Sequence, residues 1–148
     1  MADPVSPLPR LVPALTIAGI IPFAAGALYL LAPFGPPHWH ALVSTALAWW
    51  AVIILSFMAG SYWGMAVTGQ ADPLLLIGSN AAAIAAWAAL IGLPSDWIPV
   101  AISTLFALLL LLEWRAYATG RVPLFYLRLR MAITSAVVIC LCVLVMAD

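Results

Sequence analysis

Lysine is absent from this chain of 148 residues, and charge of any kind is scarce: five arginines and five acids form 7% of the sequence and cancel to zero. Such a chain carries no basic footprint for nucleic acid, so no nucleic-acid partner is expected. Only two cysteines occur, Cys140 and Cys142, both inside the last apolar run. Two residues apart on a helix they point to nearly opposite sides, which suits neither a disulfide nor a shared metal; small apolar filler is the plainer reading. His38 and His40 flank Trp39, but residues two apart do not converge on a helix and no third ligand is nearby, so no metal site is expected. A phosphate-cradling glycine loop, a zinc-protease histidine pair, a nucleophile with its base and paired catalytic carboxylates are all missing. The expectation is a protein with no catalytic residue, no enzymatic activity and no cofactor.

What the chain has in quantity is apolar surface. Hydrophobic residues make up 67% of it, more than a soluble domain of this length keeps out of water. Several apolar runs reach the ~20 residues that cross a hydrocarbon core of about 30 Å. The fold class expected is all-α, a polytopic membrane protein of five transmembrane helices over about 11–32, 39–68, 73–92, 97–118 and 123–146. Residues 1–10, with three prolines, read as an irregular tail, and 11–148 as one five-helix domain. Pro22 should kink the first helix. Asp72 followed by Pro73 reads as an N-cap with proline at the first helical position. The third span is alanine-rich, with Gly78/Ala82/Ala86 and Ala81/Ala85/Ala89 repeating every fourth residue, and is expected to be the most enclosed.

Five spans put the N-terminus, the 2–3 turn and the 4–5 turn on one side. Arg10, Arg115, Arg121, Arg128 and Arg130 fall on that side or just inside it. The positive-inside rule then predicts a cytoplasmic N-terminus and a periplasmic C-terminus, for a multi-pass protein of a bacterial inner membrane. Trp39 and Trp97 at one interface, with Trp114, Tyr117 and Tyr126 at the other, match an aromatic belt.

Two features stand out as candidate sites. Ser56, Gly60 and Gly64, followed by Thr68, recur every fourth position and form a nearly flat strip on the second helix, where another helix can approach closely. The third span has small-residue faces of its own and follows a short turn, so it is the expected mate of the strip; the alternative is that the strip serves a partner protein. The second feature is an inner-leaflet polar cluster of Trp63, Asn80, Glu113, Arg128 and Arg130. A lone Glu113 carboxylate at that depth would be costly, so pairing with Arg128 or Arg130 is expected. A clamp across the 4–5 hairpin is the plainer reading and a proton or ion relay the sharper one, disfavoured because the outer half of the membrane holds no acid. Asn80 either lines a polar cavity with Gly60, Trp63, Gly64 and Glu113 or bonds a neighbouring helix.

The stretch Ser-Phe-Met-Ala-Gly-Ser-Tyr-Trp-Gly (56–64), the alanine-rich helix ending near Trp87 and Tyr-Leu-Arg-Leu-Arg-Met-Ala-Ile-Thr (126–134) resemble the transmembrane protein 69 family, small bacterial inner-membrane proteins with mitochondrial relatives. The resemblance runs over nearly the whole chain, with Ser56, Phe57, Gly60, Trp63 and Gly64 its specific part and Arg130 followed by Thr134 supporting it. This chain departs from the family at Ala81-Ala-Ala83, where many members have a proline. The resemblance implies a location and, by kinship, energy-transducing partners, but no activity. Lack of soluble domains and of a polar path through the bilayer leads to a non-catalytic accessory subunit or assembly helper of a larger membrane complex, in contact with membrane lipid and other integral membrane proteins. The alternatives are a small transporter or channel using Asn80, Glu113 and Arg130, and a lipid or quinone binder using Trp63 and the inner-leaflet pocket.

Overall fold

The computed structural model describes residues 8–69 and 72–147. Six α-helices follow one another: α1 (Leu8–Ala18), α2 (Ile21–Leu31), α3 (His38–Val67), α4 (Pro73–Gly92), α5 (Ile98–Ala118) and α6 (Leu124–Ala147), with one 3-10 turn at Ser95–Trp97 before α5. No strand occurs among the described residues. Among the described residues five segments are long and apolar enough to cross a membrane, the first of them being Pro13–Leu31, which combines the later part of α1 with α2. The tail expected over 1–10 is helical from Leu8; its residues 1–7 lie outside those described.

The first span is broken where a kink was expected. Proline at position 22 has no N–H for the carbonyl one turn back, and Gly19 adds little helix propensity, so the helix stops at Ala18 and restarts at Ile21 with Pro22 in its first turn. The break is tied down from α3, where the Trp50 indole N–H donates to the Gly19 carbonyl at 3.1 Å. At the far end of α4's predecessor turn, Asp72 caps α4 as expected, accepting from the Leu74 and Leu75 N–H groups at 2.9 and 3.1 Å. The end of α5 is closed by Gly120 at φ +73°: Arg121 N–H returns to the Ala116 carbonyl and Gly120 N–H to that of Tyr117, a Schellman pattern that needs a left-handed residue.

Each span packs on the next, and α2 closes the circle against α6. The interior is built from one stripe per helix. On α3 the buried residues Leu47, Ala51, Leu55, Met58 and Tyr62 step by three or four, the spacing of one helical face. Phe23, Leu55, Ile102, Phe106, Leu109 and Val137 meet there with no accessible surface.

Two expectations fail. Ser56, Gly60 and Gly64 lie outward, on the side of α3 opposite its buried stripe, and a methyl group added at Gly60 or Gly64 would meet nothing within 4 Å. The strip is not the α3–α4 contact; α4 meets its neighbours through Leu75, Ser79, Ala82, Ala86 and Ala89 instead. Nor is α4 the most enclosed helix, since Ile77, Ile84, Trp87 and Ile91 are exposed. Lipid is as apolar as a protein interior, so side-chain size alone does not say which face turns inward.

Close approach by glycine happens elsewhere. A Cβ on Gly26 would sit 2.6 to 2.8 Å from three carbons of the Leu47 side chain, which is buried. Gly26→Leu is therefore expected to overpack the α2–α3 contact and cost about 1–3 kcal/mol, read as a lower melting temperature in detergent or nanodiscs, whereas Gly60→Ile leaves the melting temperature of the isolated protein unchanged.

Candidate functional site

The polar cluster begins with a sequence accident of spacing: Tyr126 and Arg130 lie four residues apart near the start of α6, so both face the same way. Arg130 is 6% exposed and Glu113, on α5, is wholly buried. Arg130 Nε stands 3.0 Å from Glu113 Oε1. Of the two expected partners it is thus Arg130 that pairs; Arg128, about 200° further round the helix, is exposed. The ion pair is one of charge rather than of hydrogen bonding. The Nε hydrogen is directed at Tyr126 Oη, 2.9 Å away, and both carboxylate oxygens lack a hydrogen-bond donor among the described residues.

The other guanidinium contacts extend the cluster to α3. Arg130 Nη2 donates to the Met58 carbonyl at 3.2 Å, to Ser61 Oγ at 2.8 Å and to Tyr126 Oη. Ser61 in turn donates to the Met58 carbonyl at 2.7 Å, which leaves its 3.2 Å contact with Tyr126 Oη to be donated by the phenol. The proton order is therefore fixed: Arg130 to Tyr126, Tyr126 to Ser61, Ser61 to the α3 backbone. The guanidinium carbon also lies 4.8 Å from the Tyr126 ring centre and 5.6 Å from that of Tyr62, within cation–π range. Arg130 thereby holds α3, α5 and α6 together.

Trp63 and Asn80 form a separate pair. The indole N–H donates to Asn80 Oδ1 at 3.3 Å, and the Asn80 amide donates to the Leu76 carbonyl at 2.8 Å. This joins α3 to α4, and no hydrogen bond or ion pair among the described residues links it to Glu113 and Arg130. The expected cluster is thus two contacts on different sides of α3. The cluster also contains Ser61, Tyr62 and Tyr126, which the sequence reading does not place in it. The i, i+4 relation of Tyr126 to Arg130 is a usable signal; Tyr62, whose buried hydroxyl has no partner among the described residues, carries none.

Asp72 has a second role. Besides capping α4 it meets Arg115 Nη1 at 3.0 Å and Arg121 Nη1 at 3.6 Å, tying the start of α4 to the end of α5 and the turn beyond. Burial alone would raise its carboxyl. The Leu75 N–H, Arg115, the Leu74 N–H and Arg121 together outweigh that and hold it below its ordinary value of 3.8. Both arginines are about half exposed, so the backbone donors contribute more than the ion pairs do.

Among the described residues, five segments long and apolar enough to cross a membrane surround a buried ion pair, the pattern of a multi-pass helical membrane protein. The chain belongs to the family described as Protein of unknown function (DUF3429), whose model matches residues 8–146. No curated protein and no solved structure matches it.

Removing one member of a buried pair strands the other, so Glu113→Gln is expected to destabilise the protein by on the order of 3 kcal/mol. The exchange of Glu113 for Arg with Arg130 for Glu should recover part of that loss in a double-mutant cycle of thermal unfolding. Recovery of nothing would mean that the contacts to Tyr126 and Ser61, rather than charge, hold Arg130.

Asp72→Ala is expected to cost about 1–2 kcal/mol through loss of the cap. The folded state keeps this carboxyl ionised to lower pH than the unfolded chain does. Its contribution is full above 3.8 and fades as pH falls through the lower folded value. Melting curves along an acid titration should show wild type and variant converging.

Proposed function

We propose that this chain is a non-catalytic accessory subunit or assembly helper of a larger membrane complex, contacting another integral membrane protein through α3. The observation that carries this reading is the outward strip of Ser56, Gly60 and Gly64, with open space above both glycines. The bundle's own packing makes no use of it. A small-residue strip facing lipid allows a partner helix close backbone approach, which is how helices associate where no water drives them together. Exposed Phe57 and Trp63 flank the strip and add area to such a contact. The resemblance of 56–64 and 126–134 to the transmembrane protein 69 family supports energy-transducing partners, by analogy only.

The reading includes a bacterial inner membrane with the N-terminus in the cytoplasm and the C-terminus in the periplasm. What supports it is charge: Arg115 and Arg121 close the α5 end, and Arg128 and Arg130 open α6 on the same side. A reporter active only outside the cytoplasm should work when fused after Asp148 and fail when fused before Met1; the reverse pattern would overturn the orientation.

The partner reading is tested by Gly60→Ile, purified in mild detergent from its native membrane beside the wild type. The variant should keep its melting temperature and lose the chains that co-purify with the wild type. Co-purification unchanged by the substitution would remove the strip from the interface.

A further inference from the structure

Where α1 breaks from α2, a cavity of about 380 Å³ opens between the first span, α3 and α6. Its walls are Leu15, Thr16, Phe23, Ile54, Phe57 and Ile133, with Arg130 the one charged residue on them. The volume lies in the ~300–1,000 Å³ range of small-ligand sites, and the cavity is open on one side rather than sealed. It faces the flank of α3 beside the first span and α6; it shares Phe57 with the edge of the outward strip, but Ser56, Gly60 and Gly64 do not line it.

Arg130 gives this apolar groove a polar end. Its Nε and Nη2 hydrogens are committed to Tyr126, Ser61 and the Met58 carbonyl, whereas Nη1 meets no acceptor among the described residues. Nη1 is not one of the fully buried unpartnered atoms and so keeps some open surface, where a guanidinium N–H gains from an acceptor in hydrocarbon surroundings. The charge of Arg130 is already balanced by Glu113 at 3.0 Å. An anionic head would leave the site with net negative charge at low dielectric, so the acceptor that fits is neutral. Depth points the same way. Arg130 lies six residues along α6, about 9 Å from its start at 1.5 Å per residue, which is below the level that a phospholipid headgroup occupies. Phe57, which is exposed, offers a ring face or edge to a flat head.

We propose that this groove binds a lipophilic ring ketone of the quinone class, its ring carbonyl accepting from Arg130 Nη1 and its single apolar tail leaving between the first span and α3.

The probe is a decyl-substituted benzoquinone, titrated into the full-length protein in phosphatidylcholine nanodiscs, with the melting temperature as readout. Decylbenzene and decanoic acid are the matched controls. The quinone should raise the melting temperature saturably, and each control should bind about tenfold more weakly for want of a neutral acceptor. Thr16→Trp, which fills the groove from a half-buried position, should keep the fold and abolish the quinone response. Arg130→Gln should weaken it about tenfold if that variant folds; Thr16→Trp decides the matter if it does not. No saturable response, an equal response to decylbenzene, a stronger one to decanoic acid, or a response that survives Thr16→Trp would each overturn the proposal. A response to decanoic acid alone would identify the groove as a fatty-acid site. Loss of co-purification in Gly60→Ile bears on none of these outcomes.

Discussion

A charged pair in a hydrocarbon solvent constrains everything around it. Neither Glu113 nor Arg130 can be left alone at that depth, so α5 and α6 must meet where the two side chains reach one another, and the hairpin at Gly120 must be short enough to allow it. The spare hydrogens of Arg130 then need acceptors, and α3 supplies them with Ser61 and the Met58 carbonyl. One guanidinium thus sets the relative depth of three helices. Apolar packing alone sets depth poorly in a membrane, because sliding a leucine face along another costs little when the surroundings are equally apolar.

A second carboxylate has a parallel duty at the membrane surface. Asp72 combines a helix cap with links to Arg115 and Arg121, so the 2–3 turn and the 4–5 turn are held against one another. Asp72 joins two turns, and Glu113 joins two helices. Two of the chain's five acids are thus tied to arginines that link neighbouring helices.

The element boundaries were legible because span length and the turn residues act locally. Asp72-Pro73, Gly120 and the proline-rich break after Ala32 mark ends through backbone chemistry that does not depend on neighbours. The choice of a basic partner for Glu113 was legible for a related reason, since the cost of an unpaired charge in lipid leaves few answers. Facing direction was not. The every-fourth pattern at Ser56, Gly60 and Gly64 is identical whether the strip is buried or bare, whereas Gly26, which has no such pattern around it, is the glycine pressed against Leu47. Trp63 and Asn80 share a leaflet with Glu113 in sequence, yet α3 separates them by turning one contact toward α4 and the other toward α6. Depth can be counted along a sequence; azimuth around the bundle has to be seen.

The break at Gly19 and Ile20 has a mechanical meaning. α3 runs unbroken for 30 residues, about 45 Å at the usual rise, well beyond a hydrocarbon thickness of about 30 Å. Such a rod answers a change in bilayer thickness by leaning. Its neighbour is jointed in the middle and fastened to it by the Trp50 indole at the joint and by the packing of Gly26 on Leu47 beyond it. The gap beside Arg130 lies at that joint, where the broken member and the unbroken one stand apart.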